Sequence, residues 1–537
     1  MPKLSIEGLS SGWGDVITPA FDARAVAEKT KTAPKWVHFG AGNIFRGFIA
    51  RLQHDLIAAG KAESGIIAAE NYDFEIIDKT YIPYDNLTLL VLMNADSTLE
   101  KHIIAGVGEA VKADFADAAQ WSRLTEIFEN PGLQMASFTV TEKGYALRDI
   151  SGGLLSAARA DIENGPALPR LVVSVVTALL LARYNKNAAP IAMVSMDNCS
   201  HNGDRLRDAV LEIALGWLDG GFVGQDFVDW LANPAKVSFP WSMIDKITPR
   251  PAGFICDELE AAGIEDMKPI ITAKNTYIAP FVNAEAPQYL VIEDNFPNGR
   301  PALEAAGVYM TDRETVNNTE RMKVTTCLNP LHTALAVYGC ILGVDTIANE
   351  MKIPELRALA AKIGYDEGMP VVVAPGILSP RAFIDEVMNE RLPNPYMPDT
   401  PQRIATDTSQ KMAIRFGETI KAYRDNDSLD PATLICIPLV IAGWLRYLLA
   451  VDDNGDSFEP SADPMLTELT AALAGIELSN PGDYKAKISP ILSNELLFGV
   501  DLYSVGLGEK IEGFFLELIS GKGAVMATLE KYLGAKS

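Results

Sequence analysis

Trp36-Val-His-Phe-Gly-Ala-Gly-Asn-Ile-Phe-Arg46 opens as a short apolar run, meets two glycines at Gly40 and Gly42, and continues into an amphipathic stretch that reaches Ala59. That order predicts a strand, a glycine turn and a helix. A helix that starts on glycines offers unobstructed amide groups and the positive end of its dipole, an arrangement able to receive a pyrophosphate. Phe45 stands where a dinucleotide fingerprint would carry its third glycine, so the turn alone fits equally well a tight strand-to-helix connection that binds nothing. An acid closing the next strand would hold ribose hydroxyls and disfavour a 2′-phosphate. Glu70, at the end of the apolar run Gly65 to Ala69, is the candidate, with Asp73 just beyond it.

Working outward, further strands are expected at Leu89 to Met93, His102 to Val107, Met135 to Thr141 and Ile191 to Met196. Helical periodicity covers Asp114 to Glu129, Pro166 to Tyr184 and Asp204 to Leu218. Strands alternating with helices of this length predict an α/β, doubly wound, Rossmann-like domain. From Glu314 the pattern turns into long helical stretches, the first running Met322 to Leu342. The chain is therefore expected to divide into an α/β, Rossmann-like domain suited to a dinucleotide over residues 1–313 and a mainly α-helical domain over 314–537.

Composition narrows the function. The chain has 537 residues, 48% hydrophobic and 22% charged, with 70 acidic against 46 basic side chains and a net charge of −24. Such a field repels nucleic-acid phosphates and anionic lipid, so neither is an expected partner. An anionic substrate would need cations placed locally in its pocket. Five widely spaced cysteines without a Cys-x-x-Cys pair suit free thiols in a reducing compartment, and with no basic start followed by an apolar block the expected location is cytoplasmic. The apolar stretches Leu171 to Ala182 and Ala432 to Leu445 fall short of the roughly 18 residues of a spanning helix and are expected to be buried.

Two constellations could carry chemistry. Val194-Ser-Met-Asp-Asn198 ends a late strand, at the carboxyl edge where ligands of such sheets bind, although an Asp-Asn pair also suits a helix cap. Lys323, Asn329 and His332 lie on one helical stretch, the last two sharing a face among apolar Leu328, Leu331, Ala334 and Leu335. Hydride transfer at a secondary alcohol needs a base near the hydroxyl and donors for the developing alkoxide. Lysines can act as that base where burial and nearby positive charge favour the neutral form, and asparagines are suitable donors. Zinc would be the rival activator, but His38, His54, His102, His201 and His332 form no close ligand pair, so no metal is expected. The Gly-x-Ser-x-Gly match at Gly8 to Gly12 lies in a polar leader with no strand before it, and is read as chance. A dinucleotide sensor or scaffold without turnover is the non-enzymatic alternative, against which the polar trio argues.

Taken in order, these segments resemble the polyol-specific long-chain dehydrogenases, the family that includes mannitol 2-dehydrogenase, fructuronate reductase and tagaturonate reductase. Phe39-Gly-Ala-Gly-Asn-Ile-Phe-Arg46 is similar to the family's cofactor turn, Thr139-Val-Thr-Glu-Lys-Gly-Tyr145 to its Thr-Glu-Lys-Gly-Tyr segment, Met196-Asp-Asn198 to its Cys-Asp-Asn, and Met243-Ile-Asp-Lys-Ile-Thr-Pro249 to its Val-Asp-Arg-Ile-x-Pro. The resemblance implies NAD held by Gly40, Gly42, Asn43, Ile44, Phe45, Arg46, Glu70, Thr141 and Glu142, and an active site in the cleft between two domains. It implies Lys323 as the acid/base, Asn198 and Asn329 as oxyanion donors, His332 as a ligand of substrate hydroxyls, and Asp245 close by. Lys411 stands where the family often has an arginine, with Arg415 a second substrate contact. The family spacing is Lys-x4-Asn-x2-His; here it is Lys-x5-Asn-x2-His, an extra residue that a helix bulge would absorb.

Family members share this set and differ at the far end of the substrate. Lys411 and Arg415 suit a carboxylate, which leans the expectation toward a sugar acid, D-fructuronate reduced to D-mannonate with NADH, over the mannitol and fructose or tagaturonate alternatives. The expected partners are thus a small sugar acid or polyol and NAD, in a monomer or small homo-oligomer.

Overall fold

The computed structural model describes residues 3–149, 151–480 and 482–534. These form two compact units, the first holding residues up to 94 and 98–317, the second residues 95–97 and 318 onward.

In the first unit six strands make one parallel sheet: β1 (Trp36–Phe39), β2 (Ile66–Glu70), β3 (Val107–Lys112), β4 (Met135–Phe138), β5 (Ile191–Ser195) and β6 (Val237–Ser238). Their order is β3-β2-β1-β4-β5-β6. Alternate residues serve opposite faces. Val37, Phe39, Ile67 and Ala69 pack with the helices Ala118–Glu129, Val172–Lys186 and Asn202–Asp219, whereas Trp36, Ile66 and Ala68 pack with the helix that follows the glycine turn. Both faces are covered, which explains why β1, β2, β4 and β5 are buried at every position. The order is that of the dinucleotide-binding doubly wound sheet, and its direction reverses between β1 and β4, so the ligand crevice lies outside the carboxyl ends of those two strands.

Ser156–Lys186 is long and apolar enough to cross a membrane by length and composition alone, yet 61% of its most apolar window is buried within the fold. It is two core helices, Ser156–Asn164 and Val172–Lys186. The single strand expected at His102 to Val107 is two. Leu99–Ile104 pairs antiparallel with Thr88–Met93, and β3 begins at Val107. The His54 ring accepts the Ala105 amide at the turn between them, a contact that an unbroken apolar run does not announce.

The second unit is helical, and among its described residues the β structure is one isolated bridge, Val451 with Ser457. Helix Cys436–Tyr447 is buried along its whole length and abuts helix Asn329–Leu342, whose Tyr338 hydroxyl donates to the Leu439 carbonyl at 2.7 Å. Its amino end holds Pro438, which has no amide hydrogen to satisfy. Glu367 accepts from Ile435 and Cys436 at 2.6 and 2.7 Å and from Ile437 at 2.8 Å, so a carboxylate from a distant segment caps the helix. All five cysteines are free thiols.

Glu350 is the anomaly of this core. It is fully buried, and neither carboxylate oxygen has a hydrogen-bond partner. Its carboxyl lies against Gly339, where a Cβ would stand 1.6 Å from Oε1, so only glycine fits there. Burial pushes the Glu350 carboxyl from the ordinary 4.5 up to about 8. Between those values the folded state keeps a proton that the unfolded chain has lost, so this residue's contribution is complete below pH 4.5 and drains away as pH rises to about 8. Glu350→Gln, neutral at every pH, is expected to remove that slope: unfolding free energies of the two proteins from urea titrations should converge below pH 4.5 and separate by on the order of 3–5 kcal/mol in favour of the variant by pH 8. A separation independent of pH would refute it.

Candidate active site

Gly40 has φ +101, and a Cβ there would meet the Thr139 carbonyl oxygen at 2.2 Å, so β1 and β4 can come this close only at glycine. The turn is braced from behind. Trp36 Nε1 donates to Ser137 Oγ at 2.6 Å, Ser137 Oγ lies 2.6 Å from His38 Nδ1, His38 Nε2 lies 2.8 Å from Thr139 Oγ1, and Thr139 Oγ1 donates to the Gly40 carbonyl at 3.2 Å. An indole N–H can only donate and a carbonyl only accept, so all four links are satisfied together when the imidazole carries its proton on Nε2. Burial holds His38 neutral by lowering it to about 3.

Glu70 stands beside the turn, as its place at the end of β2 requires. One oxygen accepts from Ala41 at 2.9 Å, the other from Tyr72 and Asp73 at 2.8 and 3.1 Å. Burial raises its carboxyl above the usual range while these amides act in the other direction. Tyr81 donates to the Ala41 carbonyl at 2.9 Å. Two residues expected at the cofactor face elsewhere. The Phe45 ring is fully buried and stacks on His38 at 4.3 Å, and the fully buried Arg46 guanidinium donates to the Ala279 and Phe281 carbonyls at 2.7 and 3.0 Å. Both lie on the core side of the helix and support the turn from within. Gly42, Asn43 and Ile44 are partly open.

Past the reversal point, Thr141 lies in the loop after β4 with φ +66 and ψ 161, a region nearly exclusive to glycine and worth about 1–3 kcal/mol of strain. Asp197, after β5, accepts from Val140 at 3.0 Å and from Thr141 at 2.8 Å. Asn198 follows and is exposed; Glu142 is also exposed and ion-paired with Arg205 at 2.5 Å. Asp245 ends the strand Ser242–Asp245 and is buried.

The continuous helix expected from Met322 to Leu342 is broken. Helix Arg313–Met322 passes into a π-turn, Lys323–Cys327, in which the Leu328 amide donates to the Lys323 carbonyl at 3.1 Å, and a new helix runs Asn329–Leu342. Pro330 explains the break, since its ring conflicts with the carbonyl four residues back and it supplies no amide hydrogen. The π-turn is the bulge that the extra residue between Lys323 and Asn329 called for. Lys323 is buried at its first position.

His332 Nε2 lies 3.6 Å from Asp399 Oδ2. Burial draws the ring down to about 4; Asp399 pulls the other way, and Arg415, Arg403 and Arg391 add to the lowering. His332 is thus a neutral hydrogen-bonding group ringed by cations. Arg415 donates to Thr333 Oγ1, next to His332, and burial lowers it only to about 10, so it stays charged. Lys411 donates to the Ile404 and Thr406 carbonyls, and burial with the nearby Arg415 lowers it to about 8. Asp399, Arg403 and Arg391 escaped the sequence reading. The only available signal was the four-residue interval between Asp399 and Arg403, which form an ion pair.

Residues 34–305 match the family model of the mannitol dehydrogenase Rossmann domain, and residues 315–507 that of the mannitol dehydrogenase C-terminal domain. The chain belongs to the mannitol dehydrogenase family. Among its relatives in this family, the D-mannonate oxidoreductase of Thermotoga maritima is 54% identical over 518 residues, 96% of this chain and 95% of that one. The mannitol 2-dehydrogenase of Cereibacter sphaeroides is 29% identical over 462 residues, 84% and 87% of the two chains. In fold, the chain is similar to the solved mannitol 2-dehydrogenase of Pseudomonas fluorescens in complex with NAD and D-mannitol, at 24% identity, TM-score 0.71, and coverage of 99% and 100%. As a member of the mannitol dehydrogenase family the chain is a nicotinamide-dependent oxidoreductase acting on CH–OH groups.

Proposed function

We propose that this chain interconverts D-fructuronate and D-mannonate, with NAD as its dinucleotide, Lys323 as acid/base and no metal. The observation that carries the choice of a sugar acid is Arg415, a largely buried guanidinium whose partner is the Thr333 hydroxyl, placed beside His332 with Arg391 and Arg403 in electrostatic reach. In a chain of net charge −24 these arginines are the local cations that a carboxylate substrate needs. The similarity to the Thermotoga maritima D-mannonate oxidoreductase supports the same substrate.

The first unit fits a dinucleotide. The cradle at Gly40 has no room for a side chain, the amides of the turn start a helix, and Glu70 places a carboxylate where a 2′-phosphate would be repelled, which favours NAD over NADP. When bound, the dinucleotide supplies or accepts the hydride. Lys323 gives a proton to the substrate oxygen in reduction and takes it back in oxidation, while Asn329 and Asn198 donate to that oxygen. His332, held neutral, bonds a neighbouring substrate hydroxyl, and Arg415, with Lys411, holds the carboxylate. Among the described residues no group of three or more His, Cys, Asp or Glu side chains could hold a metal ion. The free thiols fit a cytoplasmic enzyme.

The test is a steady-state panel of fructuronate, tagaturonate, fructose and fructose 6-phosphate with NADH and NADPH, before and after dialysis against a chelator. Fructuronate with NADH should exceed every other pair in kcat/KM by about tenfold or more, unchanged by the chelator. A higher value for fructose would overturn the substrate assignment, and zinc-restored activity would overturn metal independence.

A further inference from the structure

Asp197 has no part in proton or hydride transfer as assigned above, yet it is among the most heavily bonded carboxylates of the first unit. Oδ1 accepts from the Thr141 amide at 2.8 Å; Oδ2 accepts from the Val140 amide at 3.0 Å and from the Tyr145 hydroxyl at 2.5 Å. The Tyr145 hydroxyl also lies 2.9 Å from Ser195 Oγ, at the end of β5. The Asp197 main chain is pinned as well, since Asn202 Nδ2 donates to its carbonyl at 3.0 Å and to the Ser242 carbonyl at 3.0 Å. A buried group so completely fixed can over-determine the geometry of whatever it holds.

What it holds is the one residue of the loop whose backbone is strained. Thr141, at φ +66 and ψ 161, would relax without a restraint on its amide. The loop leaves β4, the first strand past the reversal point, two residues beyond the Thr139 carbonyl that packs on Gly40. In a sheet of this order the β1-β2-β3 half takes one mononucleotide, marked here by Glu70, and the β4-β5-β6 half takes the other, which carries the nicotinamide. Strain kept exactly once in the loop, on the nicotinamide side of the crevice, points to a backbone position that binding requires and folding does not.

We propose that Asp197 is a positioning residue for the nicotinamide half of the dinucleotide: by accepting the amide hydrogens of Val140 and Thr141 it locks Thr141 in its strained conformation and so fixes the loop against which that half is seated. This rests on the dinucleotide reading of the crevice and not on which ketose is reduced.

Three variants test it: Asp197→Asn, Thr141→Gly and the double variant, each followed by NADH binding through nicotinamide fluorescence, by kcat and KM, and by thermal midpoint. Asp197→Asn leaves one of the two amides without its acceptor and should raise the NADH dissociation constant about tenfold, with KM for NADH rising in step. Thr141→Gly removes the strain and should raise the thermal midpoint while weakening NADH binding about three- to tenfold, because the loop gains freedom that binding must then take away. The double variant should recover the midpoint but not the affinity. Unchanged NADH affinity in Thr141→Gly, or loss of midpoint alone in Asp197→Asn, would overturn the proposal. The ratio of fructuronate to fructose activity should stay unchanged throughout, so that a wrong substrate assignment shows separately.

Discussion

Lys323→Ala lowers kcat by about a thousandfold or more while the NADH dissociation constant stays within about twofold of the parent, if the lysine is the proton carrier of the reaction. The separation is expected because Lys323 belongs to the second unit and the glycine turn to the first. Removing a buried ammonium also removes whatever it supports in the π-turn, so the thermal midpoint has to be measured with the rate. A variant that keeps its midpoint and its dinucleotide affinity but does not turn over identifies a group acting on the reacting atoms. Joint loss of affinity, midpoint and rate would make Lys323 a structural residue and leave the chemistry without its acid.

Arg415→Met should be the second largest effect and the more discriminating one. A methionine fills similar space beside Thr333 without charge. Loss of a buried guanidinium from a carboxylate typically amounts to about 3–4 kcal/mol, which is about 10²- to 10³-fold in kcat/KM for fructuronate. Fructose offers no carboxylate, so its kcat/KM should change less than about tenfold, and the preference of the enzyme should narrow or invert. Equal losses on both substrates would show that Arg415 supports the His332 helix and does not read the substrate charge. Arg415→Lys should recover only part of the loss, because an ammonium cannot reproduce the two parallel bonds a guanidinium makes.

The parts legible in the sequence were those encoded locally. A four-residue apolar run, two glycines and an amphipathic stretch sufficed for β1 and its turn, and the runs Gly65 to Ala69, Met135 to Thr141 and Ile191 to Met196 sufficed, to within three residues at their ends, for three more strands of the sheet. Strand Phe281–Glu285 went unread because its partner, Thr88–Met93, is far away in the chain and only the pairing reveals it. Phe45 and Arg46 were found as part of the turn, but which side of a short helix meets the core depends on packing that no local pattern contains. The same holds for the cations about His332. Arg391 closes the helical stretch that begins at Pro380 and Arg403 sits in the one-turn helix Pro401–Ile404, separate elements that only the folded chain gathers near one ring. Lys323, Asn329 and His332 were read as a set on one helical stretch; the folded chain keeps Asn329 and His332 on the helix Asn329–Leu342 and puts Lys323 at the start of the π-turn before it, and the irregular interval was the sign of that turn.

That turn has a bearing on how such enzymes change over time. Because a π-turn accommodates one surplus residue within a single revolution, an insertion upstream of Asn329 need not rotate the helix that follows, and Asn329 and His332 keep their common face. A lineage can therefore lengthen or shorten this connection by one position without rebuilding the wall behind it. Searches that demand a rigid interval from the lysine to the asparagine would pass over chains like this one, whereas searches that tolerate a single gap there would gather them.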